Sequence, residues 1–371
     1  MRRALALAER GRGDTRPNPV VGAVIVRRGR VLAEGFHRRA GAPHAEVEAL
    51  QALARAGGSA RGATLYVNLE PCCHFGRTGP CTRAIVDAGV ARVVVGVRDP
   101  NPRIDGRGLA ALRRAGLRVD VGCLAGDCWQ ANRAFFVWVS RGQPLVTLKA
   151  AATLDGFIAD GQRRVRRAPV WITGAAARAA AHELRAAHDA VLVGAGTVAA
   201  DDPRLTVRLE GARAAGQPTR VVLDGRLRTS PRARLSRARD GRTVIIGAAG
   251  VPGAGGRARA LARAGATVAL LPGRRGRVPI ARVLGWLAAH QIQSVLVEGG
   301  AEVHGAFIAA GAVDRVAFFV APRLLGGGLP VARGAARAIR SSLHLSPFDV
   351  RSVGDDLLLL ADVLPVEPSP A

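Results

Sequence analysis

The side chains able to do chemistry fall into two short runs. His44-Ala45-Glu46 comes first, then Pro71-Cys72 and, nine residues on, Cys81. A catalytic zinc takes about three protein ligands and leaves one position for water. One imidazole and two thiolates supply three. Glu46 lies two residues beyond His44 at the start of the same expected helix, so it can approach the water without ligating the metal. Zinc lowers the pKa of such a water towards ~7, and the carboxylate carries its proton to a leaving amine. Cys81 lies at the start of a helix expected from Pro80, where the dipole favours a thiolate. The chemistry read from this set is hydrolytic deamination of a pyrimidine-type ring.

The usual Pro-Cys-x-x-Cys form is not met, because Phe75 occupies the fourth position and the second thiolate comes from Cys81 across the loop CHFGRTGP. Cys73 points elsewhere and reads as structural. His74 is an alternative ligand, with a substrate-facing or structural role favoured. A structural zinc site, or unrelated buried cysteines, is the competing reading. A structural site would close with four protein ligands and would have no use for Glu46.

The elements that must hold these residues alternate. VVGAVIV (20–26) and residues 31–36 read as a β-pair across RRGR. A helix follows from His44 with Val47, Leu50, Leu53 and Ala54 on one face. Strands at 64–70, 91–97 and 117–121 interleave with helices at 80–88, 108–115 and from about Asp127. Gly142-Gln143-Pro144 breaks the pattern as a short linker. Beyond it come the strand LVTLKAA, a helix after Thr173, the strands DAVLVGA and TRVVLD, a helix near 280–290, the strand SVLVEGG, a helix near 301–310 and the strand VDRVAFFVAP. Residues 225–280, rich in Gly, Pro and Arg, give no clear pattern. Strands alternating with helices predict two α/β domains, 1–142 and 144–371.

The 371 residues are too many for one ordinary core, and 49% are hydrophobic, so each half can bury one. Glu9 interrupts the opening apolar run too soon for a signal peptide, and no stretch approaches ~20 apolar residues. Five cysteines in such a chain are no disulfide framework, and a cytoplasmic enzyme is expected. The net charge of +26 points by itself to a polyanion. The arginines are nevertheless spread along the whole length, and Lys149 is the single lysine among 54 basic residues. That is a bias of composition, and a lysine kept against it marks a position where a compact ammonium with a tunable pKa matters.

The runs PNPVVGAVIV, EGFHRRAGAPHAEVEAL, NLEPCCHFGRTGPC and VRDPNPRIDGRGL resemble the deaminase half of the bifunctional deaminase-reductases of riboflavin biosynthesis. The resemblance implies a cytidine-deaminase-like three-layer α/β/α fold with zinc on His44, Cys72 and Cys81 and with Glu46 as proton shuttle. It implies contacts to the base and phosphate from Asn18, His37, Arg77 and Asn101. The first reaction implied is loss of the amine from a diaminopyrimidinone ribosylamino 5′-phosphate. Cys73 and Gly79 depart from the family's usual Ser and Pro without touching a ligand.

In the second half, Gly194-x-Gly196-x-x-Ala199 after a strand fits a loose dinucleotide fingerprint, and Glu298-Gly299-Gly300 could free backbone N–H groups for a phosphate. LKAAATLDG, VWITG, LVGAGTVAADDPRLTVR, VLVEGG and APRLLGGG resemble, in order, the reductase half of the same family. That half is similar to dihydrofolate reductase, so the fingerprint reading is set aside. It implies NADPH contacts from Ala152, Trp171, Thr197, Asp201 and the stretch Gly300, Ala301, Glu302, Val303, His304, Gly305 and Ala306. It implies substrate contacts from Arg185, Leu205, Arg208 and Glu298, and it places Lys149 in the active-site strand. NADPH would reduce the ring-opened ribose to a ribityl chain. Pro169 and Gly225 stand where the family usually has Ser. A reductase half kept only as scaffold, and a deaminase of nucleic-acid bases, are the alternatives. The expected partner is a small phosphorylated pyrimidine, with no membrane and no nucleic acid, and a homo-oligomer is the expected assembly.

Overall fold

The computed structural model describes residues 1–75, 79–160, 170–209, 216–334 and 337–365. The chain divides into two compact units, Met1–Gln143 and Pro144–Ala371.

The first unit opens with helix α1 (Arg2–Glu9), which the sequence reading did not anticipate. Ala4, Leu7 and Ala8 fall on one stripe of it and are buried. β1 (Gly22–Arg27) and β2 (Arg30–Phe36) form the expected antiparallel pair. α2 (Ala45–Arg55), β3 (Thr64–Leu69), α3 (Cys81–Asp87), β4 (Arg92–Val97), α4 (Arg107–Arg114) and β5 (Arg118–Val121) follow. The sheet order is β2-β1-β3-β4-β5, antiparallel through β3 and parallel thereafter. Strand alternation turns Ala23, Ile25, Leu65, Val67, Val93 and Val95 to one face, against Ala49 and Leu53 of α2, Ile85 of α3 and Leu112 of α4. The opposite face packs Val24 on α1, and Leu69, at the end of β3, packs on Phe135 and Phe136. Helices on both faces make the unit three-layered.

The helix expected from Asp127 is two, α5 (Ala125–Ala131) and α6 (Arg133–Arg141). Asn132 separates them: its side-chain amide exchanges hydrogen bonds with the Val20 backbone, and its φ of −116° leaves the helical range.

In the second unit come β6 (Leu145–Thr153), β7 (Phe157–Ala159), α7 (Ala175–Ala187), β8 (Ala190–Gly194), α8 (Ala195–Asp201) and β9 (Thr219–Leu223). The stretch without pattern holds β10 (Thr243–Ala248), α9 (Ala254–Ala264) and β11 (Thr267–Leu271). α10 (Ile280–Ala289), β12 (Ser294–Val297), α11 (Ala301–Ala309), β13 (Arg315–Ala321), β14 (Leu329–Pro330), β15 (Asp349–Val353) and β16 (Asp356–Asp362) complete it. The sheet order is β11-β10-β9-β8-β12-β6-β13-β16-β15. It is parallel from β11 to β13, with β16 and β15 an antiparallel edge hairpin. The central strands are apolar on both faces, as a covered parallel sheet requires. Such sheets leave a crevice beyond the carboxyl ends of their strands, where ligands bind.

Candidate active sites

His44 is the N-cap of α2, with extended backbone (φ −72°, ψ 163°), and Glu46 sits in the helix's first turn, 3% exposed. Cys72 follows β3, and Cys81 opens α3. The two loop ends are stapled together, since Thr82 N donates to Cys72 O at 3.1 Å and Cys81 N donates to Cys72 Sγ at 3.4 Å. His44 Nδ1 lies 3.5 Å from Cys72 Sγ and 3.3 Å from Cys81 Sγ, and the three donor atoms lie within 4.8 Å of one another. Tetrahedral zinc would put its N and S ligands about 3.5 Å apart. The donor set therefore fits zinc, with one position left for water.

The electrostatics fit as well. A hydrogen bond from Cys81, then His44 and the Cys81 N–H, overcome burial and hold the Cys72 thiol at about 4, while Cys81, the donor to that thiolate, is pushed up. The hydrogen bond with Cys72 raises His44. The cluster thus holds protons that a cation would displace. Burial, with the Cys72 charge, lifts Glu46 to about 7.

His37 and Asn18 join this centre. His37 Nδ1 donates to Pro43 O at 3.0 Å, so Nε2 accepts from Asn18 Nδ2 at 3.0 Å, and the ring stands edge-on to His44 at 5.2 Å. Burial lowers the His37 pKa and keeps it neutral. Asn101 lies in the turn after β4, its backbone N–H on Asp99 Oδ1 and its side-chain oxygen on Arg103 N. Cys73 is a free, half-buried thiol, and His74 Nδ1 is buried without a partner. Neither belongs to the donor cluster, and Phe75 is 80% exposed. Arg77 lies outside the described residues, as does Pro169.

The second unit contains a cavity of about 2140 Å³ at the carboxyl ends of its central strands. Lys149 from β6 and Glu298 just past β12 meet there, Nζ to Oε2 3.9 Å, both largely buried. Arg185 from α7 closes a fork on Glu298, Nε to Oε1 2.5 Å and Nη2 to Oε2 2.7 Å, and its Nη1 donates to Thr206 O. Burial opposes the Glu298 charge, but Lys149 and Arg185 outweigh it and hold the carboxyl at about 2. Burial lowers the Lys149 pKa against the pull of Glu298. These bonds take up three of the five guanidinium N–H donors of Arg185, which lines the cavity. Arg208 is the freer guanidinium, held by Thr206 Oγ1 at 3.3 Å.

Trp171, Thr197, Asp201 and Leu205 also line the cavity, as do Gly300, Ala301, Glu302, Val303, His304 and Ala306. Trp171 is 55% exposed, with the Arg178 guanidinium 5.0 Å from its ring. Gly300 caps α11 at φ +68°, where a Cβ would also press on Thr197 Oγ1 at 3.1 Å. His304 Nδ1 donates to Val331 O at 2.8 Å. Two expected residues do not line it. Ala152 is buried on the face of β6 opposite Lys149, and Gly305 abuts Arg333 O so closely that a Cβ would collide. The wall is rich in arginine, including Arg226, Arg228, Arg275 and Arg277, so an anionic dinucleotide fits it.

The sequence reading missed two buried carboxylates beside the metal centre. Glu70 accepts four backbone N–H groups, and Asp99 is raised by burial to about 6. The signal available was the Glu before Pro-Cys in NLEPC.

A family description of the cytidine and deoxycytidylate deaminase zinc-binding region matches residues 1–97, and that of the RibD C-terminal domain matches residues 144–359. The chain is 40% identical to riboflavin biosynthesis protein RibD of Aquifex aeolicus over 97% of this chain and 96% of that one. It is 39% identical to RibD of Escherichia coli over 97% of each. Among solved structures, RibD of Acinetobacter baumannii superposes with a TM-score of 0.85 at 35% identity, covering 98% of each chain. A deaminase/reductase of Thermotoga maritima gives 0.84 at 36% identity, over 98% of this chain and 97% of that one. With its zinc-site donors and its reductase cleft carried on one chain, the protein belongs to the RibD family of bifunctional riboflavin-biosynthesis enzymes.

Proposed function

We propose that unit Met1–Gln143 deaminates a diaminopyrimidinone ribosylamino 5′-phosphate and that unit Pro144–Ala371 reduces the product's ribosyl chain to ribityl. The observation that carries this reading is the convergence of His44, Cys72 and Cys81, with buried Glu46 beside them. The T. maritima relative is described as a diaminohydroxyphosphoribosylaminopyrimidine deaminase/5-amino-6-(5-phosphoribosylamino)uracil reductase, which names both steps.

When bound, zinc supplies an activated water and NADPH supplies the hydride. Glu46 takes the proton of the attacking water and returns it to the leaving amine, so water enters and ammonia leaves with no net change in protons on the protein. Its pKa near 7 suits both halves of that task, and a divalent cation works against burial to draw it down. Asn18 and His37 orient the ring next to His44.

In the second unit Lys149 donates the proton that accompanies the hydride, and Glu298 with Arg185 fixes the ammonium in place. Arg208 takes the substrate phosphate. Trp171, Thr197, Asp201 and the Gly300 turn hold the cofactor. The intact Lys149–Glu298–Arg185 cluster favours a working reductase over a scaffold. The five free thiols suit a reducing compartment, and we place the enzyme in the cytoplasm. Among the described residues no helix is long and apolar enough to cross a membrane.

A coupled assay tests the assignment. NADPH oxidation should begin only after ammonia appears, and Glu46→Gln should abolish both while still oxidising NADPH when given deaminated substrate. Oxidation of NADPH by Glu46→Gln on the undeaminated substrate would refute the order of steps.

A further inference from the structure

We propose that Glu70 is a positioning residue that fixes the 99–106 turn against the metal centre; this rests on the deaminase reading above. Glu70 directly follows β3, two residues before Cys72, and is 3% exposed. Among the described residues it has no cationic partner. Its charge is instead met by backbone alone: Oε2 accepts from Asp99 N at 3.2 Å and Gly106 N at 3.1 Å, and Oε1 accepts from Gly108 N at 2.9 Å and Leu109 N at 3.2 Å.

Those four donors have a plain order. Asp99 and Gly106 are the two ends of the turn, so one oxygen pins both. Gly108 and Leu109 are in the first turn of α4, whose own N-cap, Gly106, offers no side chain. Glu70 therefore caps from a distance a helix that the sequence leaves uncapped. The turn so held carries Asn101 and Ile104, and buried Ile104 packs on Cys72 and Cys81. Gly108 comes so close to the Pro71 carbonyl that a Cβ there would collide with it. The segment Glu70-Pro71-Cys72 thus grips the turn at one end and contributes a metal donor at the other.

A cap that only stabilised α4 would affect folding and spare substrate recognition. A positioning residue acts through the turn. The test uses the full zinc-replete chain with the diaminopyrimidinone phosphate, comparing wild type, Glu70→Gln, Asn101→Ala and the double variant. Glu70→Gln turns an amide donor onto backbone donors. KM should rise about 10- to 100-fold, as loss of hydrogen bonds to a charged group implies, with kcat within about threefold and zinc content unchanged. The double variant should be no worse than the weaker single, because both act through one turn. Unchanged KM in Glu70→Gln overturns the proposal, as do zinc loss with a matching fall in kcat and full multiplication in the double variant. If Glu70→Gln does not fold, Glu70→Asp, with the charge kept and the reach shortened, takes its place with the same readouts. Wild-type turnover, measured first, judges the deaminase reading separately; its absence sinks both.

Discussion

Glu46 is the proposed proton carrier, because His44, Cys72 and Cys81 form the donor set for the metal. Glu46→Gln should keep zinc by metal analysis and lose about 10²- to 10⁴-fold in deamination rate, the usual worth of a positioned acid–base group. Near-normal turnover would leave the proton unaccounted for. Glu298 gives a second prediction at this scale. Its folded pKa, about 2, lies below its ordinary 4.5, so it contributes stability above about pH 4.5 that is lost as pH falls towards 2. Glu298→Gln should flatten the acid limb of a denaturant-midpoint profile for the second unit. A profile identical to wild type would mean that Lys149 and Arg185 do not stabilise the charge.

The zinc donors were legible because residue type and short spacing define them. Glu70 was not, because its partners are backbone N–H groups 29 to 39 positions away, which no side-chain pattern reports. For Arg185 the resemblance implies a substrate contact; its fork on Glu298 spans 113 positions and is visible only in three dimensions.

Among the elements, the Gly300 turn is the one proposed to hold the cofactor. A Cβ there would face both a left-handed backbone (φ +68°) and Thr197. Gly300→Ala should weaken NADPH binding by about tenfold, the scale of 1–3 kcal/mol of backbone strain, read by fluorescence titration. Unaltered affinity would remove this turn from the cofactor site. Strands dense in Val, such as β4 and β8, were plain in the sequence because both faces are covered. α1 was obscured by its arginines and its short length, and α5 and α6 merged because a single asparagine divides them. β10, α9 and β11 were hidden among glycines and arginines that periodicity does not weight.

For the whole molecule, a net charge of +26, with arginines spread along the whole length of the chain, gives general attraction to polyanions. Retention on heparin should therefore fall steeply between about 50 and 200 mM salt. Tight tRNA binding that persists at the higher salt would revive the nucleic-acid alternative. Phe348, Val350 and Leu357 expose apolar surface along the β15–β16 edge, which would suit self-association if the homo-oligomer expected from the sequence forms. Val350→Glu should lower the mass measured by sedimentation, and an unchanged mass would move the contact elsewhere.

The proposed deamination depends on a divalent cation at His44, Cys72 and Cys81. The most direct measurement is ammonia release from the diaminopyrimidinone phosphate by chelator-stripped protein before and after zinc is restored. About one zinc per chain and recovery of turnover in proportion to bound metal are predicted. Full activity in the stripped protein, or stoichiometric zinc with no ammonia, would contradict it.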